Sequence, residues 1–299
     1  MGYHEAVLLK ESIAGLRIDP NGTYVDVTFG GGGHSKSILE KLDKGILFAF
    51  DQDADAQKNS IDDNRFVLIN QNFRFMQKFL RLEGVLKVDG ILADLGVSSY
   101  QFDTAERGFS IREEGELDMR MNITQELSAK QVVNEYELDD LCRIFREYGE
   151  LKNAFSISKL ILLAREEGEI LTTEDLKNAV KKHIPPHKSN KILAQLFQAI
   201  RIEVNDELKA LKEMLLQSVD LLKTGGRLSV ISYHSLEDRL VKNLIKSGNF
   251  KGDIEKDFYG VPNLILKAIS KKPITASQEE LESNPRSRSA KLRVSEKLA

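Results

Sequence analysis

The chain has 299 residues, 41% hydrophobic and 30% charged, with a formal net charge of −3 and a single cysteine, Cys142. That length carries one large or two ordinary domains. The near-balanced charge excludes a protein coated in phosphate-binding cations, and a lone cysteine excludes an internal disulfide. No apolar run reaches the length of a membrane span, and the opening residues lack the basic-then-apolar pattern of a secretory leader. A cytoplasmic protein with no membrane partner is expected.

In chain order, strands are expected at Thr23–Phe29, Ile46–Phe50, Phe66–Ile69 and Asp89–Leu95. Helices over Ser35–Leu42, from about Asp53, and over Arg74–Leu82 separate them. Apolar strands alternating with helices argue for a parallel sheet covered on both faces. From about Ala105 to Asn205 the pattern is helical with almost no strand. Ser128 opens a helix, Leu138, Leu141, Phe145 and Tyr148 recur at helical spacing, and Thr172 with Asp175 forms an N-cap pair. Pro185-Pro186 interrupts the chain before a helix over Ile192–Ile202. The α/β pattern then resumes with helix Asp206–Leu222, the turn Lys223–Gly226 and strand Arg227–Ser232. A helix over Leu236–Lys246 follows, with strand candidates at Leu264–Ile269 and Ala290–Val294, whose direction the sequence does not give. The implied domains are 1–104 and 206–299, forming one α/β unit, with a helical insert at 105–205.

The chemistry concentrates where the early strands end. Asp26-Val-Thr-Phe-Gly-Gly-Gly-Gly-His-Ser35 reads as a strand entering a four-glycine turn and then a helix. Without Cβ atoms a ligand can lie directly on the backbone N–H groups there. Gly30 and Gly32 fit the first two glycines of the dinucleotide fingerprint, and Ser35 misses the third. Asp51 lies 19 residues after Gly32, the interval for a carboxylate that holds ribose hydroxyls. Asp94 ends the fourth strand. S-adenosylmethionine suits this arrangement better than a nicotinamide dinucleotide, because its carboxylate fits a helix start and its sulfonium and ammonium fit nearby acids such as Asp94. Leu221-Leu-Lys-Thr-Gly-Gly-Arg-Leu228 points the same way, or is simply a glycine cap feeding a strand. Two basic stretches, Lys177–Lys191 and Arg286–Arg293, fit either a nucleic-acid backbone or a solvated surface. No Cys/His cluster points to a metal.

Seven ordered segments carry a specific resemblance: Thr28–Ser35, Asp94-Leu-Gly-Val-Ser-Ser99, Glu106-Arg-Gly-Phe-Ser110, Leu117-Asp-Met-Arg-Met121, Phe197-Gln-Ala-Ile-Arg-Ile202, Ser232-Tyr-His-Ser-Leu-Glu-Asp-Arg239 and Asn284-Pro-Arg-Ser-Arg-Ser289. Over nearly its whole length the chain resembles the bacterial small-subunit rRNA cytosine-N4 methyltransferase family, RsmH or MraW. The resemblance implies a class I (Rossmann-like) S-adenosylmethionine-dependent methyltransferase sheet with an inserted all-helical domain. It also implies methylation of N4 of a cytidine in the decoding region of 16S rRNA, on the assembled small subunit. By motif, Gly32, Gly33 and His34 would meet the cofactor's amino-acid end, Asp51 its ribose and Phe73 its adenine, with Asp94 and Gln101 completing the pocket. Asp94 and carbonyls near Gly96 are the candidates to orient the reacting amine. Asp118 either accepts the amine proton or pairs with Arg120. His234 either faces a flipped base or satisfies backbone groups, and Tyr233 either stacks or packs. Methylation of a DNA amino group and a cofactor-binding ribosome-assembly factor are the alternatives. The sequence departs from the family pattern at Tyr100, Asn122, Leu151 and Lys191–Leu196, none of them in the glycine turn.

Overall fold

The computed structural model describes residues 6–181 and 184–299; Lys182 and His183 of the basic stretch lie outside them. The chain divides into two compact units, Met1–Gly96 with Leu208–Ala299, and Val97–Glu207. The sequence boundaries of 104/105 and 205/206 differ from these by eight residues at the first junction and two at the second. Val97 already packs on the helical unit's core, and the helix Ser99–Asp103 that follows is capped by Ser98 within that unit.

The first unit is built on seven strands: β1 (Thr23–Asp26), β2 (Ile46–Phe50), β3 (Phe66–Ile69), β4 (Val88–Asp94), β5 (Leu222–Ser232), β6 (Leu266–Ala268) and β7 (Lys291–Lys297). They form one sheet in the order β3-β2-β1-β4-β5-β7-β6. β1 to β5 are parallel, while β7 runs antiparallel to both β5 and β6. This is the class I methyltransferase sheet, with the late antiparallel pair supplying the directions that sequence left open. The inner strands are apolar on both faces because helices cover both. Val25, Ile91 and Val230 enter one core, and Tyr24, Leu47 and Leu92 another. Each fully buried side chain of this size contributes about 1.5–3 kcal/mol.

The helices α1 (Leu9–Leu16), α2 (Gly33–Leu39), α3 (Met76–Leu82), α10 (Glu207–Leu221), α11 (Ser235–Ser247) and α12 (Gln278–Ser283) belong to this part of the chain. Neither α1 nor α12 was expected from the sequence. The polar segment from Asp53 is a short 3₁₀ turn, Ala54–Asn59, opened by the Asp53 carboxylate accepting the Asp55 N–H at 3.0 Å. With only Ala56 of that segment buried, it has no apolar face on which to extend an α-helix. Lys223–Gly226 is neither a separate loop nor a cap. Val88 pairs with Leu222 and Gly90 with Arg227, so these residues stand out of β5 as an irregularity, held by Lys223 Nζ at 2.8 and 2.9 Å from the Asp89 carboxylate.

The second unit holds α4 (Ser99–Asp103), α5 (Ala129–Glu135), α6 (Leu138–Glu147), α7 (Ala154–Glu167), α8 (Thr173–Lys181) and α9 (Ser189–Asn205). Its core includes Val132, Ile144, Phe145, Ile161, Leu196 and Ile200. The loop before α5 is tied down by Asn205, whose side chain accepts the Met121 N–H at 2.7 Å and donates to the Met119 carbonyl at 2.8 Å. The family departures have local uses here. Leu151, Leu193 and Leu196 are core residues, and Asn122 closes a turn by accepting the Thr124 N–H at 3.0 Å. Tyr100 is 51% exposed.

Candidate active site

The carboxyl ends of β1, β2 and β4 each carry an acid: Asp26, Asp51 and Asp94. Asp26 is fully buried, accepting from Ser35 Oγ at 2.7 Å and from the Thr28 N–H at 3.1 Å. It thereby ties the end of β1 to the first turn of α2, across the glycine turn. Burial pushes its pKa up to about 6. Thr28 Oγ1 in turn accepts the Asp94 N–H at 2.6 Å. One chain of hydrogen bonds therefore fixes the turn against the tip of β4.

Within the turn, Gly32 has φ +76° and a Cβ there would lie 3.0 Å from the Phe29 ring, so glycine is required. Gly30 donates its N–H to Asp51 Oδ2 at 2.8 Å, and its carbonyl accepts from Asn59 Nδ2 at 3.0 Å. A Cβ at Gly31 would meet nothing within 4 Å, which leaves the outer face of the turn open. The other Asp51 oxygen accepts the Asp53 N–H at 2.8 Å, and burial pushes this acid up to about 6 as well. Asn70 Nδ2 donates to the Asp51 carbonyl, and Asn72 Nδ2 to Gln52 Oε1, so the loop after β3 is tied to the loop after β2. Phe73 begins the 3₁₀ turn Phe73–Phe75 that this link positions, half-buried against the sheet's core.

Asp94 has neutral company. Tyr233 OH donates to its Oδ1 at 2.7 Å, and His34 Nδ1 stands 3.8 Å from its Oδ2. Burial pushes Asp94 up to about 6, against the opposing influence of His34 and Tyr233. Burial also lowers His34, so its ring is neutral at pH 7, and its Nε2 is buried with no hydrogen-bond partner among the described residues. The Tyr233 phenol is pushed far up by burial and by Asp94, so it remains a donor. Gly96, at φ +99°, lies under the Tyr233 ring, which a Cβ would meet at 3.4 Å.

The other candidate residues are placed differently. His234 is the N-cap of α11: its Nδ1 accepts the Glu237 N–H at 3.4 Å, while Glu237 Oε2 accepts the Tyr233 and His234 N–H groups at 2.9 and 3.3 Å. That is a capping box with histidine in the place of serine. Asp118 and Gln101 belong to the helical unit. Asp118 is clamped by Arg120, with Nη2 to Oδ2 at 2.7 Å and Nε to Oδ1 at 3.0 Å. Gln101 closes a capping box with Ser98, its Oε1 accepting the Ser98 N–H at 3.0 Å. Sequence reasoning passed over Asp26, Thr28, Asn59 and Asn70. The signal for Asp26 was present, since it also ends an apolar strand, like Asp51 and Asp94.

These features suit S-adenosylmethionine. The glycine turn is open on its outer face, the Nε2 of His34 has a hydrogen bond to give or take, and two acids of raised pKa at the strand ends have affinity for a cation and hydroxyl donors. Residues 1–298 match the MraW methylase family. The chain is 58% identical over 299 residues to ribosomal RNA small subunit methyltransferase H of Flavobacterium johnsoniae, covering 100% of this chain and 99% of that protein. The protein of the same name from Flavobacterium psychrophilum is 57% identical, covering 97% of this chain and 100% of that one. A third, from Amoebophilus asiaticus, is 56% identical over 99% of this chain and 96% of its own. With one family matched from end to end and the expected sheet carrying the expected strand-end acids, the chain belongs to the MraW methylase family of S-adenosylmethionine-dependent methyltransferases.

Proposed function

We propose that this methyltransferase methylates N4 of a cytidine in the decoding region of 16S rRNA, with the assembled small ribosomal subunit as substrate. The supporting observation is the environment of Asp94, a carboxylate at the end of β4 held by a tyrosine hydroxyl and faced by a neutral histidine rather than by a cation. The full-length likeness to proteins named for the small-subunit rRNA supports the substrate.

An exocyclic cytosine amine is a weak nucleophile, because its lone pair is delocalised into the ring. Bound S-adenosylmethionine supplies an electrophilic methyl carbon. The chain's task is to hold the amine nitrogen in line with that carbon, at about 3–3.5 Å. Asp94 Oδ2 is the acceptor for an amine N–H; Tyr233 fixes the carboxyl by its other oxygen, and the Thr28 hydroxyl fixes its backbone. Accepting that hydrogen bond turns the lone pair out of the ring's conjugation. The same oxygen is placed to take the proton that the nitrogen sheds after transfer. His34 Nε2 and the Gly31–Gly33 backbone hold the cofactor's amino-acid end, Asp51 its ribose hydroxyls, and Phe73 its adenine. A stacked cytosine has to be extruded to reach Asp94.

The test is transfer of labelled methyl to small subunits lacking the modification, with free 16S rRNA and duplex DNA in parallel and nucleoside mass analysis of the product. N4-methylcytidine from subunits alone is expected. Transfer to none of the three, with cofactor binding intact, overturns the reading.

A further inference from the structure

Of the three strand-end acids, Asp26 alone has no part in holding cofactor or amine. It is level with Ala49 in β2 and with Leu92 in β4. Asp51, just past β2, and Asp94, the last residue of β4, each lie two residues further along. Side chains alternate along a strand, so all three carboxylates stand on the face that carries Tyr24, Leu47, Ala49 and Leu92, where Ile38 and Leu39 of α2 pack. At about 3.3 Å per residue and about 4.8 Å between strands, the Asp26 backbone is about 8 Å from each of the other two.

No ligand can touch Asp26. The residue is 0% exposed, and both its oxygens are taken. Oδ2 accepts from Ser35 Oγ at 2.7 Å, and Oδ1 accepts the Thr28 N–H at 3.1 Å with the Thr28 hydroxyl at 3.5 Å. Every one of these donors is neutral. Among the described residues, no lysine or arginine pairs with Asp26, Asp51 or Asp94. Burial pushes Asp26 up to about 6, which leaves it ionised at pH 8, and its charge raises the proton affinity of both Asp51 and Asp94. A buried carboxylate without a cation destabilises the fold, and a neutral amide could accept and donate in the same place. What the acid adds is a negative charge beneath the glycine turn, in surroundings where charge carries further than in water.

S-Adenosylmethionine carries a carboxylate, an ammonium and a sulfonium, and so one net positive charge. The S-adenosylhomocysteine left after transfer has lost the sulfonium charge and is neutral overall. We propose that Asp26 is a buried counter-charge for the sulfonium, making the site prefer S-adenosylmethionine to the S-adenosylhomocysteine that methyl transfer leaves behind. It acts on both ligands through its charge alone, and the spent cofactor leaves more readily because of it. This rests on the cofactor and not on which nucleotide receives the methyl group, so its test needs no RNA and stands if the substrate reading falls.

Asp26→Asn removes the charge and keeps the shape: Oδ1 can still accept the Thr28 N–H, and Nδ2 can donate to Ser35 Oγ. In calorimetric titrations of the full-length protein at pH 8, this variant should bind S-adenosylmethionine about tenfold more weakly and S-adenosylhomocysteine within about twofold of wild type. Sinefungin, which carries an amine cation in place of the sulfonium, should follow S-adenosylmethionine. Ser35→Ala removes a hydrogen bond and leaves the charge, so the wild-type ratio of the two affinities should persist. Equal weakening of all three ligands by Asp26→Asn would reduce Asp26 to a support of the glycine turn. Unchanged affinities would deny its charge a role, and sinefungin following S-adenosylhomocysteine would show that the methyl group is read by shape. Each of these overturns the proposal. If Asp26→Asn does not fold, Ser35→Ala decides: a lost preference there assigns the effect to the hydrogen bond, and a retained one to the charge.

Discussion

Asp94 and Asp118 are nearly equal in exposure, 21% and 18% of their side chains, yet they are different chemical objects. Asp118 meets a guanidinium in a bidentate clamp, with Arg120 also donating Nη1–H to the Gln125 carbonyl at 2.8 Å. Its charge is neutralised by the loop it holds together. Asp94 meets a phenol and an uncharged imidazole, which offset its desolvation only in part, and its proton affinity rises. An acid satisfied by a cation is a structural fixture, whereas one satisfied by neutral donors keeps affinity for an incoming donor or cation. The partner each carboxylate meets, together with burial, divides these two acids.

The hardest blow to that contrast is Asp94→Ala, expected to lower methyl transfer by at least about 100-fold while urea unfolding stays near that of wild type. Wild-type turnover in this variant would remove Asp94 from the chemistry. Gly32→Ala comes next. Its left-handed backbone and the Phe29 ring should cost about 1–2 kcal/mol in stability and weaken S-adenosylmethionine binding, read together by calorimetry with and without cofactor. Asp118→Ala should show the reverse of Asp94→Ala: about 1–3 kcal/mol lost in urea unfolding, because Arg120 loses its partner, with turnover per folded molecule retained. If Asp118→Ala abolishes turnover in a stable protein, the structural reading of that pair fails.

A smaller effect comes from pH. Asp51 and Asp94 move from 3.8 unfolded to about 6 folded, so the native state binds their protons more tightly. Their contribution to stability is fully present below about pH 4 and is lost as pH rises through 6. A bound ligand that donates to the ionised acids offsets that loss. The thermal shift given by S-adenosylmethionine should therefore be larger at pH 7.5 than at pH 5.5; an equal shift at both would show that the acids do not sense the ligand. Smallest is Tyr233→Phe, which removes one donor from Asp94. A few-fold loss is expected, with the acid limb of the rate profile displaced towards higher pH.

The strands of the sheet were legible because they are short apolar runs buried on both faces, and the strand-end acids because nothing in a packed core calls for Asp51 or Asp94. The glycine turn announced itself by composition. Less legible was anything set by a partner distant in sequence. Tyr233 and Asp94 meet across 139 residues, and no local pattern shows that a tyrosine will hold that acid. His234 and Gln101 look like site residues on type alone, and only the backbone reveals that each closes a capping box.

That separation between Tyr233 and Asp94 also bears on how the protein is made. β4 and β5 are neighbours in the middle of the sheet, yet the whole helical unit is synthesised between them. During translation β4 therefore emerges with β1 on one side and an open row of N–H and C=O groups on the other. At about 5–20 residues per second, several seconds pass before β5 can pair with it. Until then the sheet ends in a strand with an apolar middle, Gly90-Ile-Leu-Ala93. The catalytic edge is thus completed only after the whole helical unit has been made, so a nascent chain stalled within that unit carries a half-sheet with one open edge.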